Sequence, residues 1–110
     1  MDFILALDQG TTSTRARVYG PDLVCRGTAQ RALVASFPAA GHVEQDPWQI
    51  WQDQQAVAAE ALAQAKVAPS AVRAVGLTNQ RETVVLWERR SGADWSRIKS
   101  NGLFRKGLSK

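Results

Sequence analysis

The sequence predicts a single α/β domain with strands and helix in the order βββαββ. Three observations carry this prediction. A continuous apolar run over 3–7 has the length and composition of a buried strand. A helix start follows at Asp46-Pro47, where an N-cap residue precedes a proline at the first helical position. The length of 110 residues allows one domain at most.

The first three strands are predicted to form a meander of two hairpins. The apolar run over 3–7 suits a strand covered on both faces, and it ends in a polar turn over 8–13. Residues 14–19 alternate between polar and apolar side chains, as in a strand with one buried face. A turn with glycine, proline and aspartate at 20–22 leads into a third strand, expected over 23–33.

The second half of the chain begins with a loop over 36–44 and continues with an amphipathic helix. Apolar residues recur at near-helical spacing over 50–65, and we expect the helix to end near Lys66. Two strands are predicted after it, over 71–77 and 83–87. A short polar break separates these two strands.

Charge and cysteine content restrict the classes of function. The net charge of +4 arises from the end of the chain, because residues 88–110 carry 7 basic and 2 acidic side chains, whereas 1–87 carry 7 and 8. These basic residues are scattered, so we expect no nucleic-acid binding. No apolar stretch is long enough to span a membrane, and no secretory signal is present. A single cysteine, Cys25, fits a reducing cytoplasm.

The polar turn after the first strand is the first candidate site. Asp8 stands at the strand end, Gly10 permits close backbone approach, and Thr11, Thr12 and Ser13 supply hydroxyl and N–H donors. A carboxylate in this position can hold Mg²⁺ through water. The pattern indicates phosphate binding without a Walker lysine. On spacing alone, an ordinary polar β-turn is the favoured interpretation of the same residues.

The polar break before the fifth predicted strand is the second candidate site. Arg81 offers a fork of donors and Glu82 offers two acceptor oxygens, a pair that can clamp adjacent hydroxyl groups of a polyol. A solvated ion pair is the alternative interpretation. The position between two apolar strands favours a functional role, because polar loops at strand ends often carry function.

His42 lies near two carboxylates, but no second histidine or cysteine stands at metal-ligand spacing. We therefore interpret this segment as a structural loop. Trp48 and Trp51 are three residues apart on the predicted helix and are expected to pack against the core rather than to form a binding platform.

Three segments together resemble the FGGY family of carbohydrate kinases. Residues 5–15, Leu-Ala-Leu-Asp-Gln-Gly-Thr-Thr-Ser-Thr-Arg, resemble its phosphate loop. Residues 41–47, Gly-His-Val-Glu-Gln-Asp-Pro, resemble a family segment that usually has tryptophan where His42 stands. Residues 76–83, Gly-Leu-Thr-Asn-Gln-Arg-Glu-Thr, resemble the polyol-binding segment of the glycerol kinases within the family.

This resemblance implies a ribonuclease H-like (actin-like ATPase) fold, of which the chain holds part. It also implies transfer of the γ-phosphoryl group from ATP to glycerol, with Mg²⁺, giving glycerol 3-phosphate. The implied roles of the residues are these: Asp8 assists Mg²⁺; Thr11, Thr12 and Ser13 contact the transferred phosphate; Arg15 meets the nucleotide's phosphates; Arg81 and Glu82 hold the glycerol hydroxyls.

The end of the chain departs from the family. Residues 1–92 correspond to the N-terminal part of the first domain, whereas 93–110 form a basic tail that matches nothing in the family. Family members are several times longer, and their general-base aspartate lies beyond this chain, which therefore has no catalytic residue of its own. We interpret the tail as the product of a frameshift or an early stop.

These expectations leave other functions open. The chain alone is expected to be inactive, as a non-catalytic remnant or a weak module for binding phosphate or polyol. An actin-like ATPase of another kind is a further alternative, against which Arg81 and Glu82 argue. A sheet without its later strands would also expose an edge and a face, which predicts poor folding or self-association.

Overall fold

The computed structural model describes residues 2–80 together with 83, 85, 87, 89 and 90. Within these residues it has four strands, one long helix and one short 3-10 turn. The elements are β1 (Phe3–Gln9), β2 (Ser13–Tyr19), β3 (Cys25–Ala32), α1 (Pro47–Ala65), the 3-10 turn Pro69–Ala71 and β4 (Val72–Thr78). The order of the first five predicted elements is thus confirmed. Two of the five positions of the fifth predicted strand, 84 and 86, lie outside the described residues, so this strand stays a prediction.

The four strands form one sheet in the order β3-β2-β1-β4. β1 pairs antiparallel with β2, and β2 pairs antiparallel with β3, which confirms the predicted meander. β4 returns after α1 and pairs parallel with β1, as a crossover connection through a helix permits. β1 is therefore a central strand, with the carboxyl end of β4 next to its own.

Helix α1 covers one face of β2 and β3 and the adjoining part of β1. The core consists of Leu5, Ala16 and Val18 from the strands and Val57 and Ala61 from the helix, all of them buried. Alternation along β2 places its apolar side chains on this face, as the sequence predicts. The opposite face of β1 has no helix against it in the described part of the chain, so the expectation of a strand covered on both faces is wrong for these residues.

The contact between α1 and β3 is unusually close at Gly27. A Cβ atom built on this glycine would lie 2.3 Å from the carbonyl oxygen of Ala61, which belongs to the helix backbone. The next residue, Thr28, donates its N–H to the Oε1 atom of Gln64 at 2.6 Å. The helix therefore lies directly on the backbone of β3, and only glycine fits beneath it.

An acidic side chain of α1 is also buried, and no sequence pattern indicated its burial. Asp53 is 7% exposed and accepts a hydrogen bond from Gln49 at 2.9 Å. Arg31 on β3 lies 3.7 Å from the same carboxylate and 2.6 Å from Glu60. Asp53 is therefore compensated by a neighbouring amide and a shared guanidinium.

Both ends of α1 are capped. Asp46 accepts a hydrogen bond from the Trp48 N–H at 2.9 Å, which confirms its predicted role as N-cap. At the other end Lys66 adopts a left-handed conformation with φ of 57°, and its N–H bonds back to the last turn. The helix therefore ends where the sequence predicted.

Two expectations about packing and boundaries are wrong. Trp48 and Trp51 are 45% and 55% exposed, because they lie on the side of α1 that faces away from the sheet. The third strand begins at Cys25 rather than at Leu23, because Leu23 adopts a left-handed φ of 63° inside the preceding turn. Among the described residues, no helix has the length and apolar character required to cross a bilayer.

Candidate phosphate-binding site

The turn between β1 and β2 lies where three elements come together. It follows the carboxyl end of β1, and the parallel pairing of β1 with β4 brings Thr78 beside Asp8. Gln45, just before α1, reaches the turn from a third direction. We call residues 10–13 the phosphate turn, after the role predicted for them.

The phosphate turn is compact because of a glycine. The Gly10 N–H donates to the carbonyl oxygen of Ser13 at 2.9 Å, which closes the turn on itself. A Cβ atom at position 10 would lie 3.2 Å from that same oxygen, tighter than an ordinary contact. A side chain here would therefore press on the Ser13 oxygen, which would have to move by a few tenths of an ångström.

Every carbonyl group at the tip of the turn is held by the rest of the protein. The Gly10 oxygen accepts from the amide of Gln80 at 2.9 Å, and also from that of Gln9 at 3.1 Å. The Thr11 oxygen accepts from the Gln45 amide at 3.0 Å. The Thr12 oxygen accepts from the backbone N–H of Leu33 at 2.9 Å. Three successive peptide groups are thus fixed by their oxygens.

The amide hydrogens of these peptides point the other way. A trans peptide is planar, with its N–H opposite its carbonyl, so fixing the Gly10 oxygen also fixes the direction of the Thr11 N–H. In the described part of the chain, the N–H groups of Thr11 and Thr12 have no acceptor. Both residues are exposed. Adjacent exposed N–H groups with flanking hydroxyls can donate to the oxygens of an anion.

Asp8 and Arg15 flank the turn on the free face of the sheet. They are direct partners in the β1–β2 ladder, and Arg15 donates through Nε to Gln30 at 3.0 Å. Both line a shallow groove that also contains Arg17 and Thr78. A hydrogen bond with the Tyr19 side chain raises the pKa of Arg17. The groove therefore carries two cations and one carboxylate.

Asp8 is suited to hold a magnesium ion only as one ligand among several. No group of three metal-binding side chains comes together in the described ranges. The Asp8 carboxylate lies at the strand end beside the phosphate turn. Mg²⁺ keeps several waters and commonly binds one or two carboxylates together with substrate phosphates, so a single aspartate next to a phosphate turn fits such an ion.

The structure brings together five of the predicted site residues: Asp8, Thr11, Thr12, Ser13 and Arg15. The other two, Arg81 and Glu82, lie outside the described residues, and their role stays a prediction. His42 belongs to the loop before α1, where its N–H donates to the Ala39 carbonyl at 2.9 Å. The same loop is closed by two backbone hydrogen bonds between Ser36 and Glu44.

Sequence reasoning missed two residues of this site, Gln45 and Gln80. Their amides hold the phosphate turn and also bond each other, since Gln80 donates to the Oε1 atom of Gln45 at 2.7 Å. Both glutamines belong to segments that the sequence singled out. The sequence does not indicate their roles, because their hydrogen bonds to the turn join positions 34 and 70 residues apart.

Comparison with known proteins places the chain in a family. The family model described as "FGGY family of carbohydrate kinases, N-terminal domain" matches residues 3–97. A glycerol kinase of Rhodospirillum rubrum is 56% identical over 92 residues, which are 84% of this chain and 19% of that protein. The chain thus spans about a fifth of the length of this relative.

Solved structures agree on the fold. A xylulose kinase from Rhodospirillum rubrum superposes with a TM-score of 0.72 at 34% identity, over 84% of this chain and 19% of that one. The Plasmodium falciparum glycerol kinase, solved with ADP, gives a TM-score of 0.70 at 28% identity, over 86% and 19%. The predicted partial ribonuclease H-like fold is thereby confirmed, and the chain belongs to the FGGY family of carbohydrate kinases, within their N-terminal domain.

Proposed function

We propose that this chain is the N-terminal segment of an ATP-dependent glycerol kinase and that its phosphate turn binds the phosphoryl group being transferred. The observation that carries the proposal is the turn itself. Its carbonyl oxygens are all engaged, whereas the N–H groups of Thr11 and Thr12 are exposed and have no acceptor among the described residues. Phosphoryl transfer depends on positioning and on neutralising charge, and this turn supplies both through fixed donors.

Each predicted residue has a defined part in this proposal. Thr11, Thr12 and Ser13 donate to oxygens of the transferred phosphoryl group, and Arg15 pairs with the nucleotide's phosphates. Asp8 would hold Mg²⁺, which neutralises charge on the phosphates when it is bound. The Plasmodium falciparum glycerol kinase was solved with ADP. This supports an adenine nucleotide as the ligand of the phosphate turn in this chain.

The choice of glycerol rests on sequence rather than on fold. The chain is 56% identical to a glycerol kinase but 34% identical to a xylulose kinase, although it superposes well on the latter. The segment with Arg81 and Glu82 resembles the polyol-binding segment of glycerol kinases. We assign the glycerol hydroxyls to these two side chains, and we infer a cytoplasmic location because the one cysteine, Cys25, is free.

A chimera tests the proposal directly. Residues 1–92 of this chain would replace the matching segment of the Rhodospirillum rubrum glycerol kinase, and formation of glycerol 3-phosphate from ATP would be measured. We expect glycerol-dependent turnover. Arg15→Ala should raise the KM for ATP, whereas Arg81→Ala should raise the KM for glycerol. Arg73→Ala is the matched control, since Arg73 is exposed at the start of β4 and away from the turn.

Two outcomes would contradict the proposal. ATP hydrolysis at the same rate with and without glycerol would indicate an actin-like ATPase of another kind. A folded but inactive chimera would mean that the segment does not supply a functional phosphate site.

A non-catalytic binding module is a second candidate for the chain by itself. It is favoured by the completeness of the turn, whose hydrogen bonds all come from described residues. Isothermal titration of the 110-residue chain with pyrophosphate and with glycerol would measure such binding. Heat from neither ligand would leave the isolated chain as a remnant of the kinase.

A further inference from the structure

We propose that Gln45 and Gln80 are positioning residues that orient the N–H groups of the phosphate turn. They also link this turn to residues 76–83, which we call the polyol segment. The inference rests on the proposed function and extends it to residues that contact neither phosphate nor glycerol. Their side-chain amides form a chain of hydrogen bonds from Gln80 to Gln45 and from each of them to the turn.

The orientation of both amides is dictated by the backbone. Gln80 bonds the carbonyl oxygen of Gly10, and Gln45 bonds that of Thr11. A carbonyl oxygen only accepts, so each glutamine must present its NH₂ group to the turn. The remaining bond, from Gln80 Nε2 to Gln45 Oε1, is consistent with both assignments. The arrangement therefore has one solution and no equivalent flipped form.

Each glutamine controls one donor of the turn. The Gly10 carbonyl and the Thr11 N–H belong to one planar peptide, and the Thr11 carbonyl and the Thr12 N–H belong to the next. Gln80, together with the Gln9 amide, thus orients the Thr11 N–H, and Gln45 orients the Thr12 N–H. The next peptide is oriented by the backbone of Leu33 instead. The two glutamines act on the donors that have no acceptor within the described residues.

The same amide connects the two halves of the proposed active site. Gln80 is half-buried and directly precedes Arg81 in the sequence, so its anchor on Gly10 ties the polyol segment to the phosphate turn. Its Oε1 atom is buried without a partner among the described residues.

The first experiment uses the 110-residue chain and ¹⁵N relaxation of the turn amides. Gln80→Met keeps the length of the side chain but removes both donated bonds. We expect the order parameter of the Thr11 N–H to fall clearly below its rigid value of about 0.85, since only the Gln9 amide then holds the Gly10 carbonyl. Gln45→Met should do the same at Thr12. Gln64→Met is the matched control, because it removes a long-range hydrogen bond far from the turn and should leave both values unchanged.

The second experiment measures kinetics in the chimera defined above. Gln80→Met and Gln45→Met should each lower kcat about tenfold and change the KM for glycerol by less than about twofold. The reason is that poorly oriented N–H donors stabilise the transition state less. Gln80→Asn, which keeps the amide on a shorter stem, should recover part of the loss. A structural role alone would lower the amount of folded enzyme without this split between kcat and KM.

The two experiments separate the inference from the proposed function. An inactive parent chimera would count against the proposed function, while the order parameters would still decide the inference. Unchanged order parameters at Thr11 and Thr12 in both Met variants would overturn the inference. So would an active chimera in which Gln80→Met raises the KM for glycerol and leaves kcat unchanged.

Discussion

The two halves of the sheet, β2–β3 and β1–β4, differ in how closely other described residues pack against them. On the β2–β3 side, α1 lies against the strands so closely that Gly27 has no room for a side chain. On the β1–β4 side, every residue of β4 from Arg73 to Thr78 is exposed, including Leu77 at 77%. Stability is therefore concentrated in one half of the fold, whereas the other half presents surface suited to contact with further protein.

The largest expected effect tests the close contact. Gly27→Ala should lower the free energy of unfolding by about 3 kcal/mol, because its Cβ would meet the α1 backbone at Ala61 and the helix would have to shift. Gly76→Ala in β4 is the matched control, since no atom lies within 4 Å of its added Cβ. Urea unfolding followed by circular dichroism would measure both. Equal losses of stability at the two glycines would contradict the claim that β3 is packed more tightly than β4.

Truncation of a core side chain should have the next largest effect. Val57 is fully buried, so Val57→Ala should destabilise the chain by about 2 kcal/mol through lost contacts and a cavity. Val75→Ala in β4 should change stability by less than about 0.5 kcal/mol, because Val75 is half exposed. The same urea titration applies. A similar loss for both valines would mean that β4 is packed as tightly as α1.

A smaller effect is expected at the start of α1. Asp46→Ala should cost about 1 kcal/mol, because the Trp48 N–H would lose its acceptor. Asp46→Ser keeps an oxygen acceptor and should retain most of the stability. Thermal unfolding of the three proteins would rank them. If serine is no better than alanine, the cap contributes little and packing alone holds the helix.

The smallest effect on stability is expected at the exposed edge, where the readout is association. Leu77→Lys should reduce self-association of the chain while changing its stability by less than about 0.5 kcal/mol. Val34→Lys is the control, because Val34 is similarly exposed but lies in a loop outside the sheet. Sedimentation velocity would compare the two. Equal reductions would show that β4 has no special part in association.

Much of the fold could be predicted because its signals are local. The alternation over 14–19 indicates β2 and its buried face, and Asp46-Pro47 indicates the start of α1. Residues that depend on distant partners could not be predicted. The burial of Asp53 requires Arg31 from β3, and neither residue indicates the other in the sequence.

The candidate site also contains residues that could be predicted from local sequence and residues that could not. Asp8 and the phosphate turn follow from one short stretch of sequence, so their neighbourhood could be predicted. The amides of Gln45 and Gln80 could not, because their role exists only after β4 lies beside β1. The exposure of Trp48 and Trp51 was missed because both were expected to pack as large aromatic side chains, although neither lies on the apolar stripe of α1 that contains Val57.

The parallel pairing of β1 with β4 also has a consequence for the order of folding. Phe3 pairs with Val72, whereas β1, β2 and β3 pair with their neighbours in sequence. Contacts between distant positions close a long loop and form slowly, and a chain emerges from the ribosome with its N-terminus first. We therefore expect the meander to form during synthesis, with the Thr12 carbonyl already held by Leu33. The Gly10 carbonyl can accept from the neighbouring Gln9 amide early, but its bond from Gln80 forms only when β4 has docked beside β1, so this long-range restraint on the phosphate turn comes last.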